Sequence, residues 1–427
     1  MIIWLFVGLF ALFFTGLPIA LSLALASTVF LWLNGSVPLT VVTQRMITGT
    51  DSFVLLAVPL FLLSGALMDY GGISKRLVSF ANVLVGWMAG GLSMISVVAS
   101  MIFAGISGSA AADCAAIGSI MIPAMIRKGY AKDFTTALQS SAGTIGVIIP
   151  PSVPMVVYGV IASTSIGALF VAGAIPGILM GLALMGVSFA VCKRRGYVGE
   201  PRVSLGQAVA AFRDAIWALM MPIIIVGGIL GGVFTPTEAA GVATVYALFV
   251  GFFVYRELKL RDMPRLLRNA GVNTALVMFI ISTASLFAWI LASQQVPKTI
   301  AQAFLSFSND PAVFLLMLNL LLLWVGTFLE TTAALIIFAP VLLPVTSQLH
   351  IDPIFLGVVM VVNLAIGMVT PPMGVSLFVG CSISGLKVEQ VVRPLIPFVG
   401  AMIAVLFLIT YVPGLIMFLP GLFYGTR

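Results

Sequence analysis

Long apolar runs, interrupted by a few polar or helix-breaking residues, dominate this chain. Runs at 2–14 and 18–33 are parted by Thr15-Gly16-Leu17-Pro18, and another covers 53–70. From 74 to 88 the pattern changes: Ile73, Leu77, Phe80, Leu84 and Trp87 recur at helical spacing among Lys75, Arg76 and Asn82. That pattern predicts an amphipathic helix suited to a membrane interface. Residues 90–127 are apolar but broken at Gly105-Ile106-Ser107-Gly108-Ser109. Each leg falls short of the roughly 20 residues that cross a bilayer, so a re-entrant hairpin is expected. A broken span at 134–163 and a continuous one at 168–192 complete the first half.

The stretch 193–214 opens on Lys193-Arg194-Arg195 and reads as a cytoplasmic linker. The plan then recurs. Spans are expected at 215–233, 238–254 and 273–293, with a basic segment at 256–268. A second amphipathic helix at 297–309 (Ile300, Phe304, Phe307) precedes a hairpin at 311–348, a broken span at 353–385 and a last span at about 395–420. The halves 1–192 and 215–427 superpose without a gap. Gly105 falls on Gly326, Gly146 on Gly367, Pro150-Pro151 on Pro371-Pro372 and Pro176 on Pro397, always 221 residues apart. Each half holds five spans plus a hairpin, and that odd number turns the second half upside down relative to the first. The expected fold is an all-α polytopic membrane protein, an inverted repeat of about ten transmembrane helices and two re-entrant hairpins.

Composition agrees: 61% of the 427 residues are hydrophobic and 8% charged, against about a quarter charged in soluble domains. A net charge of +7 would suggest nucleic acid in a soluble protein. Here it bears on sidedness, and no nucleic-acid partner is expected. With the loop Arg127–Lys132 in the cytoplasm, all but Arg45, Lys298 and Arg427 of the 20 basic residues also face inward, which leaves 17 inside. That obeys the positive-inside rule, and it puts both termini outside. The N-terminus is apolar from Ile2, without a basic n-region or cleavage site, and reads as a retained first helix.

The same sequence excludes several chemistries. Cys114, Cys192 and Cys381 lack metal-ligand spacing, and His350 is the single histidine. No zinc site, disulfide framework or histidine triad follows. No paired acid and base points to an intramembrane enzyme, and no Gly-rich phosphate loop points to ATP. His350 falls in an external loop as a solvated residue. Thr235-Pro236-Thr237-Glu238 reads as a helix start with a capping box, which makes Glu238 structural.

The two breaks carry the candidate chemistry. Where one short helix ends and another begins, orphan carbonyls present negative charge and orphan amides positive charge. The former suit a hard cation and the latter a carboxylate. Pro150 and Pro151 donate no hydrogen bond, so carbonyls around 140–146 lose partners. Ser107, Ser109, Thr144 and Ser152 offer hydroxyls to the first site, and Thr327, Thr331, Thr332 and Thr370 to the second. Such hydroxyls also commonly bond only their own backbone. Asp113, one turn beyond Ser109, reads as an anchor or a member of a polar network rather than an ion contact. Glu330 at the second tip either shapes the tip or faces the site.

Gly105–Asp113 with Ile122-Pro123-Ala124-Met125, Ile149-Pro150-Pro151-Ser152, Thr235–Gly241 and Thr370–Gly374 closely resembles the large membrane subunit of TRAP transporters, the DctM/SiaM type. The resemblance spans essentially the whole chain. It implies sodium-driven uptake of an organic acid, of the sialic acid or C4-dicarboxylate type, across the bacterial inner membrane, with no other cofactor. It also implies a periplasmic substrate-binding protein, a small four-helix membrane subunit on a separate chain, and a transport domain that moves like an elevator against a scaffold. The family's cation sites map onto Ser107, Ser109, Gly143, Gly146, Pro150, Gly326, Thr331, Gly367 and Thr370. Substrate contacts are expected at Ser109, Ser152, Glu330 and Thr332. A stand-alone ion-coupled carboxylate carrier and a passive channel are the alternative transport readings.

The inverted topology is directly testable. Single cysteines replacing Lys128 and His350 will react with a membrane-impermeant thiol reagent from opposite faces of oriented vesicles. Labelling of both from one face refutes the inversion.

Overall fold

The computed structural model describes residues 2–425 apart from residues 36, 300–301 and 303–309. Most of the expected second amphipathic helix, 297–309, therefore lies outside the described residues. The first half runs α1 (Ile2–Phe14), α2 (Ile19–Asn34), α3 (Thr40–Thr48), α4 (Ala57–Tyr70), α5 (Ile73–Val85), α6 (Gly91–Ser107), α7 (Ala110–Arg127), α8 (Lys132–Gly143), α9 (Val153–Ile161) and α10 (Ile166–Arg195). The second runs α11 (Leu205–Leu230), α12 (Pro236–Phe249), α13 (Met263–Ser293), α14 (Pro311–Gly326), α15 (Thr331–Gln348), α16 (Pro353–Gly367), α17 (Val375–Ser384), α18 (Val388–Tyr411) and α19 (Gly414–Tyr424). Both the start and the end of α15 lie 221 residues beyond those of α7.

Eight helical stretches among the described residues are long and apolar enough to cross a membrane. The chain is thus an all-α polytopic membrane protein. Two of the eight, α7 and α15, are arms of the expected hairpins. Their apolar length serves burial inside the protein as well, since 67% of the α15 window is enclosed against 22% of the α11 window.

Several boundaries differ from expectation for local reasons. Helix α11 starts at Leu205, inside the expected linker, because Ser204 and Gln207 form a capping box there. Helix α13 absorbs Arg265 and Arg268 from the basic segment. The final span is two helices, parted at Val412-Pro413. Helix α3 was not expected, being short and half polar (Thr40, Thr43, Gln44, Arg45). At Thr235 the expected capping box is present: the Thr235 N–H donates to Glu238 Oε2 at 2.8 Å. His350 is exposed in its loop.

Packing follows small residues. Ala239, Ala243 and Ala247 recur every fourth position on α12 and are fully buried, which lets α12 lie close along α4. Thr244 Oγ1 seals that contact by donating to the Leu60 carbonyl at 3.0 Å. The halves interlock reciprocally. Helix α9 packs on α15 and α16, while α17 packs on α7 and α8. Tyr158 on α9 donates its hydroxyl to the Pro353 carbonyl at 2.7 Å.

Each hairpin is also stapled to its own broken span by buried amides. In the first half, Gln139 of α8 accepts from Ser96 and donates to Ser100 Oγ at 3.2 Å, both on α6. In the second, Asn363 Nδ2 of α16 donates to Asn319 O and Oδ1 of α14, each at 3.0 Å. Asn319 Nδ2 then reaches Thr410 Oγ1 on α18 at 3.1 Å.

On the expected cytoplasmic side the inter-half connection is strapped down. Tyr197 stacks on Tyr130 at 4.2 Å. Glu200 donates its N–H to Gly86 O at 2.8 Å and its carboxylate meets Lys128 at 2.9 Å. At its other end α5 carries Arg76, which pairs with Glu257 at 2.7 Å and lies 3.8 Å over the Tyr255 ring.

Asn319→Ala removes two buried side-chain hydrogen bonds, from Asn363 Nδ2 and to Thr410 Oγ1, and leaves Asn363 only the backbone carbonyl at 319. A loss of about 1–3 kcal/mol is expected, visible as a lower midpoint in thermal unfolding of the detergent-solubilised protein. An unchanged midpoint would show that the staple adds nothing.

Candidate functional site: two breaks, each met by a hairpin tip

The first hairpin turns more sharply than expected. Gly105 sits inside α6, facing the Pro222 ring of α11, and the break is confined to Gly108 and Ser109. Gly108 takes a left-handed φ of +62°, and a side chain there would also meet the Pro151 carbonyl at 2.8 Å. Both constraints demand glycine. Ser109 caps α7 by accepting from the Ala112 N–H at 3.5 Å, and Ser107 Oγ lies 3.4 Å from the Ser109 N and O.

The first broken span comes to meet this tip. Helix α8 stops at Gly143, a 3₁₀ turn covers Thr144–Val147, and α9 starts after Ser152. Val153 N–H donates across the gap to Gly108 O at 3.3 Å. Ser152 caps α9, accepting from Met155 N–H at 3.4 Å, and donates to Val147 O at 2.6 Å. Thr144 Oγ1 donates to Ser141 O at 2.7 Å. Gly143 packs against Cys114 of α7, where a side chain would meet the Cys114 backbone.

Gly146 does face the tip. A methyl group there would stand 2.8 Å from Ser109 O and 3.0 Å from Asp113 Oδ2. Asp113 itself is fully buried, and neither carboxylate oxygen has a hydrogen-bond partner. Ser100 of α6 is the polar side chain it faces.

The second site repeats the arrangement with different residues. Met373 N–H donates to Thr327 O at 3.3 Å, so this tip too is bonded to the backbone just past its double proline. Both proline pairs, Pro150-Pro151 and Pro371-Pro372, are cis. Gly326 and Gly367 touch backbone to backbone: a side chain on Gly326 would lie 3.1 Å from the Gly367 Cα. Thr370 Oγ1 donates to Ile366 O at 2.8 Å. Thr331 Oγ1 is buried and has no partner.

Glu330 is the cap of α15. Its carboxylate accepts from Thr332 N–H at 2.9 Å, Ala333 N–H at 3.2 Å and Thr332 Oγ1 at 3.0 Å. That is the tip-shaping arrangement of the two weighed above.

Most of the candidate hydroxyls thus donate to backbone carbonyls. A hydroxyl that donates still offers oxygen lone pairs to a cation. The two sites are close neighbours, since the 3₁₀ turn Thr144–Val147 packs on α16. Hard oxygen donors and the absence of any group of three His, Cys, Asp or Glu among the described residues suit an alkali cation better than a transition metal.

Residues 6–415 match the family model described as "Tripartite ATP-independent periplasmic transporter, DctM component". The chain is 42% identical, over 98% of both sequences, to the sialic acid TRAP transporter large permease protein SiaM of Vibrio cholerae. It is 44% identical to the C4-dicarboxylate TRAP transporter large permease protein DctM of Pseudomonas aeruginosa, over 88% of each chain. It is also 46% identical to the isethionate TRAP transporter permease protein DctMQ of Oleidesulfovibrio alaskensis, covering 97% of this chain and 66% of that one. Among solved structures, MtrF of Neisseria gonorrhoeae, from a class of antimetabolite efflux pumps, has the same fold at 12% identity, with a TM-score of 0.55 over 86% of this chain and 83% of its own. The chain therefore belongs to the family of DctM components of tripartite ATP-independent periplasmic transporters, and it is a transporter subunit rather than an enzyme.

Proposed function

We propose that this chain is the large permease of a sodium-coupled importer of organic acids, the cations binding at the two breaks and the acid between them. The observation that carries this reading is the paired geometry of the breaks. Twice, a hairpin tip is hydrogen-bonded to the backbone just after a double proline, at 3.3 Å in both cases. Cations occupy carbonyls and hydroxyls of Ser107, Ser109, Gly146 and Pro150 in one half and of Gly326, Thr331, Gly367 and Thr370 in the other.

Electrostatics locates the acid. The start of α9 is capped by neutral Ser152 and has no acid in its first turn, so its partial positive charge remains available to an anion, whereas α7 carries Asp113 in its first turn. The start of α15 already carries the Glu330 carboxylate. The substrate carboxylate therefore sits toward Ser109 and Ser152, and Glu330 and Thr332 bound its far side. The named relatives carry isethionate, sialic acid and C4-dicarboxylates, which have in common only that each bears at least one anionic acid group, a sulfonate in the first and carboxylates in the others. A site that recognises the acid through helix ends fits that range.

The complete importer contains a small membrane subunit and a periplasmic binding protein, and it sits in the inner membrane with both termini of this chain periplasmic. The hairpins and broken spans slide as one body against α1–α4 and α11–α13. The ion gradients suffice: two sodium ions with one monoanion yield about 5 kcal/mol at a tenfold gradient and 100 mV.

Reconstituted with both partners in proteoliposomes, the protein will accumulate the acid above its external concentration in sodium and not in choline. Import indifferent to that swap would refute the reading. Mere equilibration would make the protein a channel, and accumulation without the binding protein would make it a stand-alone carrier.

A further inference from the structure

The segment joining α12 to α13 takes no part in either break, yet it is firmly held. Residues 256–268 carry five basic side chains, Arg256, Lys259, Arg261, Arg265 and Arg268, against two acids, Glu257 and Asp262. Glu257 is committed to Arg76 at 2.7 Å. Leu258 and Leu266 are buried, and Leu258 N–H donates to Gly251 O at 3.2 Å, so the segment is fastened to the helix it leaves. Its cations are not. Lys259, Arg261, Arg265 and Arg268 are exposed, and none of their side chains has a hydrogen bond, ion pair or ring contact among the described residues. Arg76, Lys128, Arg195 and Arg202, by contrast, each lie on a carboxylate or an aromatic ring.

Spacing turns three of these cations to one side. Arg265 and Arg268 belong to the first turns of α13, and Arg261 stands one turn earlier, in the 3₁₀ turn Leu260–Asp262 that leads into it. At about 100° per residue the offsets of four and three keep all three on one stripe. Leu260 and Leu267, two turns apart, form a bare stripe beside it, 81% and 50% exposed. Length sets their depth. Helix α13 has 31 residues, about 46 Å at the usual rise, against a hydrocarbon core about 30 Å thick. Its uncharged part, 274–293, fills that core and leaves Arg265 and Arg268 at the level of the lipid headgroups. A bias of charge to one face of the membrane requires neither an aligned stripe nor bare leucines next to it.

We propose that Lys259, Arg261, Arg265 and Arg268 form a docking surface for anionic phospholipid, with their cations on the headgroup phosphates and Leu260 and Leu267 in the upper acyl layer. A soluble phosphate or an acidic protein segment would satisfy the cations and leave the leucines in water, whereas a lipid answers both. Basic clusters beside a membrane helix hold anionic lipid by about 1 kcal/mol per cation, or about fivefold. Helix α13 packs on α2 and α4, so bound lipid ties those three helices to one leaflet.

The test places a polarity-sensitive fluorophore on Asn269→Cys, an exposed position one residue beyond Arg268 to which the docking surface assigns no contact. The native cysteines, Cys114, Cys192 and Cys381, are buried. The chain, with and without its small subunit, is placed in nanodiscs of phosphatidylcholine and phosphatidylglycerol, with one of the two lipids brominated on its acyl chains in each sample. At equal mole fraction brominated phosphatidylglycerol should quench the label severalfold more efficiently than brominated phosphatidylcholine, and high salt should bring the two toward parity. The triple variant Arg261→Gln/Arg265→Gln/Arg268→Gln should show parity at low salt as well. The salt comparison uses the protein with all its cations, so it stands even where the variant fails to fold. Parity with all four cations present, or a preference that neither salt nor the variant reduces, overturns the assignment. So does a label indifferent to lipid charge that moves to shorter wavelength only when the small subunit is added, which would make the stripe a protein contact.

Discussion

In hydrocarbon a freed amide or carbonyl has no water to turn to, and this molecule is arranged around that shortage. Four helices stop in mid-structure: α6, α8, α14 and α16. Each stop would be expensive alone. The solution is to bring a hairpin tip to a broken span so that each satisfies part of the other, through Val153 to Gly108 and Met373 to Thr327. Serine and glutamate caps handle the starts of α7, α9 and α15, α17 begins at Gly374 without a side-chain cap, and the remaining donors and acceptors form a polar gap inside an apolar body. Transport chemistry is a use of what is left over.

The two solutions are related by sequence but not identical in detail. The amide staple uses Gln139 in one half and Asn363 with Asn319 in the other, at positions that do not coincide after the shift of 221. Glycine is likewise spent differently. Gly146 lets the broken span press against Ser109 and Asp113, whereas its counterpart Gly367 lets two backbones touch at Gly326. A duplicated frame has thus kept its breaks while its polar interior diverged.

Much of this was legible in the chain because glycine, proline and charge act locally. The double prolines marked both breaks, and the Thr235 to Glu238 box formed where its spacing placed it. What was not legible depends on tertiary contact. Gly105 looked like part of the tip, but packing on Pro222 holds it inside α6. Gly143 also seats Cys114 of α7, a contact its spacing did not reveal. Asp113 looked anchored, since helix position alone cannot reveal that no partner arrives. Asn319 and Asn363 lay in apolar runs with nothing to distinguish a buried staple from a tolerated polar residue.

Helix α5 is fastened at both ends by unlike joints. Its C-terminal elbow is tied by a backbone bond, Glu200 to Gly86, which dissolved ions leave nearly untouched. Its first turn is tied by Arg76 to Glu257, side chains 23% and 37% exposed, where screening at physiological ionic strength reaches within about 8 Å. Dissolved salt therefore weakens the joint at the first turn of this helix and spares the one at its C-terminal end, so the two ends respond unequally to ionic strength.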